Sequence, residues 1–208
     1  ESAGAVVQNN SWGFDTNALT ISTVKSYKTS NSVTGADALV YYQSQKSNGG
    51  SSYDIGMQST QRSWSTSDWN TYVSSLNSFQ DTGVIVFALS NEASMTDADV
   101  SAGLPEIFPE LEEAWLTVAN VDIVGTDIAT QTYTLKSAAC GTTAEYCISG
   151  DGWKILGAGG SYGYTNWWSG NYNVGDAQQE NDYHVSQGTS YVAPAVSGAI
   201  AVLANHFP

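Results

Sequence analysis

Positive charge is scarce in this chain. Six Lys and Arg stand against twenty Asp and Glu in 208 residues, a formal net charge of −14. That balance excludes nucleic acid as a partner, because phosphates demand basic patches. Only 12% of residues are charged at all, roughly half the share usual for a soluble domain. Long apolar runs are missing too, and none approaches the ~20 residues of a membrane-spanning helix. The opening Glu1-Ser2-Ala3-Gly4 has no basic region followed by an apolar stretch, so no signal peptide is expected and the start reads as mature or internal. Histidine is limited to His184 and His206, and cysteine to Cys140 and Cys147.

What takes the place of charge is Ser, Thr, Asn, Gln and Gly, a surface that suits a secreted protein facing salt. The acidic surplus reads as solubility or as steering of basic substrates. Cys140 and Cys147 have six residues between them and no other metal-ligand type nearby. They read as a local disulfide in an oxidising compartment, with two free thiols as the alternative.

Length permits one domain with a sizeable core. Residues 5–12 read as a short strand feeding a turn at Gly13. Residues 35–45 carry Ala36, Leu39, Val40 and Gln43 at helical spacing behind Thr34 as cap. Trp69, Tyr72, Val73, Leu76 and Phe79 repeat at three and four, with Thr66 or Ser67 as N-cap. After Gly83, residues 84–89 are six continuous apolar residues, the pattern of a strand buried on both faces of a parallel sheet. Residues 115–121 read as a second such strand. Residues 190–205 are apolar almost all round, which predicts a helix enclosed by protein. The alternation implies an α/β fold with a mainly parallel sheet. Residues 149–176 are rich in Gly, Tyr and Trp without a period, and read as a long surface loop or hairpin.

The chemistry concentrates in residues 188–198, Gly-Thr-Ser-Tyr-Val-Ala-Pro-Ala-Val-Ser-Gly. Ser190 stands in the first turn of the predicted helix, where the positive helix end stabilises a developing oxyanion. Gly188 and Thr189 allow a sharp turn before it. Pro194 sits early in the helix, where its missing N–H does least harm. A second candidate is Asn91, delivered by the buried strand in Phe87-Ala88-Leu89-Ser90-Asn91-Glu92. An isolated Asn is more often a turn residue, and its place at the end of a buried apolar strand is what singles this one out. A third is Asn10-Ser11-Trp12-Gly13.

These strings resemble the subtilisin-like serine proteases, in which Gly-Thr-Ser, three variable residues, Pro and then Val-Ser-Gly surround the nucleophile. The resemblance implies a subtilisin-like sheet with helices on both faces, Ser190 as nucleophile and Asn91 as oxyanion-hole amide. Ser90 replaces the Gly usual before that Asn. Ser11, Trp12 and Gly13 resemble the family's strand that pairs with extended substrate by β-augmentation. Residues 115–122 are similar to the strand after the oxyanion Asn. Cys140 to Cys147 followed by Ser149-Gly150-Asp151-Gly152 is similar to the bacterial autotransporter members, which have Ala-Pro-Gly where this chain has Gly-Asp-Gly. The resemblance covers about two-thirds of the chain and only the later half of a family domain, with residues 14–68 and 160–182 as insertions. It implies a bacterial protein, secreted or at the cell surface. Sedolisin-like proteases share Gly-Thr-Ser but place an Asp where Asn91 stands, which argues against them.

A subtilisin-like triad also needs an Asp and a His ahead of the substrate strand, and neither motif occurs. His206 lies at the far end of the nucleophile's own helix, more than ~20 Å from Ser190. His184, with Asp182 behind it, lies six residues before Ser190 and reads first as a loop residue. Without a base, Ser190 is a poor nucleophile. Two accounts follow. Either a partner segment or chain of the same protease domain supplies Asp and His, or the chain is an inactive relative used for structure or binding. A carbohydrate-binding module built on Trp153, Trp167 and Trp168 is the third class. No cofactor is required for the protease. A structural calcium is compatible with the acidic surplus, but no ligand spacing locates it.

Overall fold

A computed structural model of the chain describes residues 4–11, 19–47, 64–158 and 183–207. Five strands form the main sheet: β1 (Val7–Asn10), β2 (Val84–Ala88), β3 (Trp115–Val124), β4 (Thr132–Leu135) and β5 (Cys147–Asp151). β1, β2, β3 and β5 run parallel to their neighbours, and β4 runs antiparallel to the later half of β3. β6 (Ile155–Ala158) and β7 (Tyr183–Ser186) form a separate antiparallel pair. The helices are α1 (Ile21–Asn31), α2 (Gly35–Ser47), α3 (Thr66–Gln80) and α4 (Thr189–His206). The expected α/β architecture, with a mainly parallel sheet between helices, is what the chain adopts.

The continuous apolar run of β2 explains its place at the centre. Side chains alternate across a strand, and here both faces are occupied. Ile85, Phe87 and Leu89 join Trp69, Val73 and Leu76 of α3, Leu39 of α2 and Ile21 and Val24 of α1 in the larger core. Val86 and Ala88 face the other way, against Val192 and Ala193 of α4. Phe87 is fully buried and stacks on Trp115 with ring centroids 4.9 Å apart.

Two expectations are corrected. The cap of α3 is Ser65, not Thr66 or Ser67. Its side chain accepts from the Asp68 N–H while the Asp68 carboxylate accepts from the Ser65 N–H, a reciprocal pair that satisfies two otherwise orphaned donors. The second concerns α4, which the described residues do not enclose. Val192, Ala193 and Ser197 are buried against the sheet, whereas Val202 is 60% and Leu203 57% exposed. Composition made every face of α4 apolar, but a face is buried only where an element packs on it, and the described residues cover one side. Thr34 does cap α2, its hydroxyl accepting from the Asp37 N–H at 3.1 Å. α1 was not anticipated.

The two cysteines form a disulfide around a short 3-10 turn, residues 141–146, that leads into β5. Ahead of it, the buried Asp97 carboxylate accepts from the backbone N–H groups of Thr142 and Ser22. That joins this turn to the start of α1. Trp12, Gly13, Trp167 and Trp168 lie outside the described residues.

The stacked Phe87–Trp115 pair at the sheet centre should dominate stability. Phe87→Ala is expected to lower the unfolding free energy by about 3–5 kcal/mol, measured by urea denaturation. A loss below about 1 kcal/mol would contradict so tightly packed a core.

Candidate active site

The site forms where β2 ends and α4 begins. Leu89 extends the parallel ladder one residue past β2, its N–H bonded to the Val118 carbonyl at 3.0 Å. The chain then turns at Ser90 and Asn91. Ser90 is fully buried and held at both backbone groups. Its N–H donates to Asp99 Oδ2 at 3.0 Å, and its carbonyl accepts from the Ala138 N–H at 2.8 Å. Asp99 Oδ1 accepts from the N–H groups of Ser101 and Ala102. Burial pushes the Asp99 carboxyl above its usual range, opposed by the bonds from Ala102, Ser90 and Ser101. Asp99 thus organises the whole turn that presents Asn91.

Asn91 faces the start of α4. Its Oδ1 accepts from the Thr189 N–H at 2.9 Å, and the Thr189 hydroxyl, 3.1 Å from the same oxygen, donates to the Leu89 carbonyl at 2.7 Å. With the amide oxygen committed, Nδ2 is left to donate, and no described residue accepts from it. The Ser190 N–H is one of the orphaned donors of a helix start, again with no described acceptor. Two donors therefore flank Thr189. Gly188 makes the approach feasible: its φ is +142°, and a Cβ there would stand 3.1 Å from Asn91 Oδ1.

Ser190 is half-buried. Its hydroxyl donates to the Ser11 carbonyl at 2.8 Å, just past the end of β1. Three of the sequence candidates, Ser11, Asn91 and Ser190, are thereby brought together from chain positions far apart. His206 is exposed at the other end of α4 and does not join them. His184 lies on β7, next to the turn, and its side chain is outside what is described. Among the described residues no cluster of three or more His, Cys, Asp or Glu could hold a metal ion. Trp153 is half-buried beneath Lys136, whose Nζ is 4.2 Å from the ring centroid. That is a packed position, unlike an open stacking platform for sugar.

Sequence reasoning passed over Thr189 as a tie, Asp99, and Asn120, whose Oδ1 accepts from the Gly152 N–H. Asp99 carried no distinguishing signal within Thr96-Asp97-Ala98-Asp99, since the chain is acidic throughout.

The profile of the Subtilase family matches residues 1–208. An extracellular serine protease of Serratia marcescens is 30% identical over 128 residues, covering 60% of this chain and 12% of its own. Serotype-specific antigen 1 of Mannheimia haemolytica is also 30% identical, over 60% of this chain and 11% of its own. The chain thus spans about an eighth of the length of these relatives. Among solved structures, fervidolysin from Fervidobacterium pennivorans, a keratinolytic enzyme related to subtilisin, aligns at TM-score 0.43 and 20% identity, over 83% of this chain and 23% of its own. The prenylagaramide maturation protease PagA aligns at 0.40 and 16%, over 78% and 47%.

The Asp99 carboxylate serves donors on both oxygens. Asp99→Asn keeps the shape but turns an NH2 toward one set of them. The variant should lose about 1–3 kcal/mol of unfolding free energy by urea titration, and an unchanged midpoint would show that Asp99 does not hold this turn.

Proposed function

Because this chain belongs to the subtilase family, we propose that it carries the nucleophile and oxyanion hole of a secreted serine endopeptidase that works by acyl transfer. The observation that carries this reading is the Asn91 Oδ1 to Thr189 N–H bond, 2.9 Å long. It fixes a side-chain amide beside the residue that precedes Ser190. Ser190 Oγ attacks the scissile carbonyl, and the Asn91 Nδ2 and Ser190 N–H receive the charge that develops on its oxygen. Donors held in advance need no rearrangement as that charge appears. Ser11, just past β1, and the Trp12 and Gly13 of the sequence motif are the residues assigned to pair with the extended peptide. Main-chain recognition of this kind admits varied side chains.

The base and its orienting carboxylate come from a segment of the same protease domain that carries His and Asp. The base takes the Ser190 proton and returns it to the leaving amine, and water then hydrolyses the acyl-enzyme. This assignment is supported by the present partner of Ser190 Oγ, a carbonyl, which accepts a hydrogen bond but cannot take up the proton. The exposed outer face of α4 and the edge of β1 opposite β2, unpaired among the described residues, give such a segment room to dock. The disulfide and the extracellular relatives favour a location outside the cell, secreted or at the surface of a bacterium.

In the complete protein containing this chain, a fluorophosphonate probe should label Ser190 in mass spectra, and Ser190→Ala should abolish labelling. Asn91→Ala should slow peptide hydrolysis by about 10²–10³-fold in kcat. An unlabelled Ser190 in folded complete protein would instead identify a catalytically inactive subtilase used for structure or binding.

A further inference from the structure

We propose that Asn120 is a positioning residue of the active site, setting the Gly188–Ser190 turn through Gly152. Asn120 is a buried polar side chain, 1% exposed, on β3. It pairs in register with Gly150 of β5. Its backbone is fixed from the far side, where its N–H donates to Ser137 Oγ at 3.0 Å and its carbonyl accepts from the Lys136 N–H at 2.8 Å. The alternation of β3 puts its side chain on the same face as Val118, under the start of α4.

From there Asn120 Oδ1 accepts from the Gly152 N–H at 2.9 Å. The Gly152 carbonyl in turn accepts from the Gly188 N–H, also at 2.9 Å. Gly188 is the residue whose left-handed backbone lies against Asn91 and whose second successor is Ser190. A relay of two hydrogen bonds therefore runs from the sheet interior to the nucleophile turn. It leaves little slack, because a Cβ on Gly152 would stand 2.5 Å from Val192 Cγ2, 2.7 Å from the Gly188 carbonyl oxygen and 2.8 Å from Asn120 Oδ1. Gly150 is equally tight, since a Cβ there would stand 2.5 Å from Val192 Cγ1. The loop after β5 is thus pressed between Asn120 and the first turn of α4, and Asn120 is the only side chain in the relay. The catalytic consequence rests on the acyl-transfer reading of Ser190; the mechanical one does not.

The test uses the complete protein with Asn120→Ala and, in parallel, Gly152→Ala, which keeps Asn120 but pushes a methyl group against Val192 and the Gly188 carbonyl. Two quantities are read: backbone amide exchange at Gly152 and Gly188, and the rate of fluorophosphonate labelling at Ser190. Both variants should raise exchange at Gly188 by about tenfold or more while amides of β2 keep their protection. Labelling should slow by about ten- to hundredfold, as expected when a nucleophile is displaced by an ångström or less. A Gly188 amide as protected as in the wild type would overturn the proposal, as would faster exchange with an unchanged labelling rate. Faster Gly188 exchange in a protein whose wild type is never labelled would uphold the relay and remove the protease reading instead. If Asn120→Ala does not fold, Gly152→Ala carries the same two readings.

Discussion

The bond between Asn91 Oδ1 and the Thr189 N–H joins residues 98 apart in the chain, and the site depends on it. It sets the orientation of an amide that would otherwise rotate, and it satisfies a backbone donor that a helix start leaves without an internal partner. One interaction thereby finishes a helix and aims a side chain. The Thr189 hydroxyl adds a second tie to Leu89, so the end of β2 and the start of α4 cannot shift independently. Other described polar groups near the site hold one or other of these two ends. Asp99 and Ala138 hold Ser90 on the strand side. Asn120 and Gly152 hold Gly188 on the helix side.

These supports are buried polar groups, and their energetics explain why they come as complete sets. An unpartnered polar group in the interior costs about 1–3 kcal/mol, more than a typical hydrogen bond contributes. A network is therefore safe only when nearly every member is matched. Asp99 accepts three backbone donors, and the Asn120 backbone and side-chain oxygen are all engaged. The same completeness holds the turn in place, which is what the proposed oxyanion role of Asn91 requires. Stability and chemistry make one demand here, and the residues that meet it are neither apolar nor exposed.

Much of this was legible beforehand, for identifiable reasons. β2 announced itself because burial on both faces leaves an unbroken apolar run. α3 did so through Trp69, Val73 and Leu76 at helical spacing. Ser190 and Asn91 were singled out by the family motifs around them, and the structure brings the two to the same helix start. α1 was not, since Ile21 and Val24 are its only buried residues and the rest is Ser, Thr, Lys, Tyr and Asn. β4 was missed because its four residues are all exposed, and β6 and β7 are four residues each, too short to show a period. Asp99 and Asn120 were invisible for a different reason. Their roles are defined by partners distant in sequence, and a lone Asp or Asn carries no pattern of its own.

The outer face of α4 shows where composition and environment part. A helix apolar on all sides is stable in water only if something covers it, and the described sheet covers one side. Val202 and Leu203 on the other are the kind of surface that marks an interaction site when contiguous and is unremarkable when scattered. They lie along the same helix as Tyr191, 40% exposed and next to Ser190. A segment that docks along this helix would therefore meet apolar side chains from its far end up to Ser190. Burial of those side chains would contribute to docking at about 25 cal/mol per Å². On the proposed acyl-transfer reading, a fixed pair of donors beside an open helix face is coherent. The preorganised donors must be built into the core, whereas a base needs only to be brought within hydrogen-bond reach of Ser190 Oγ.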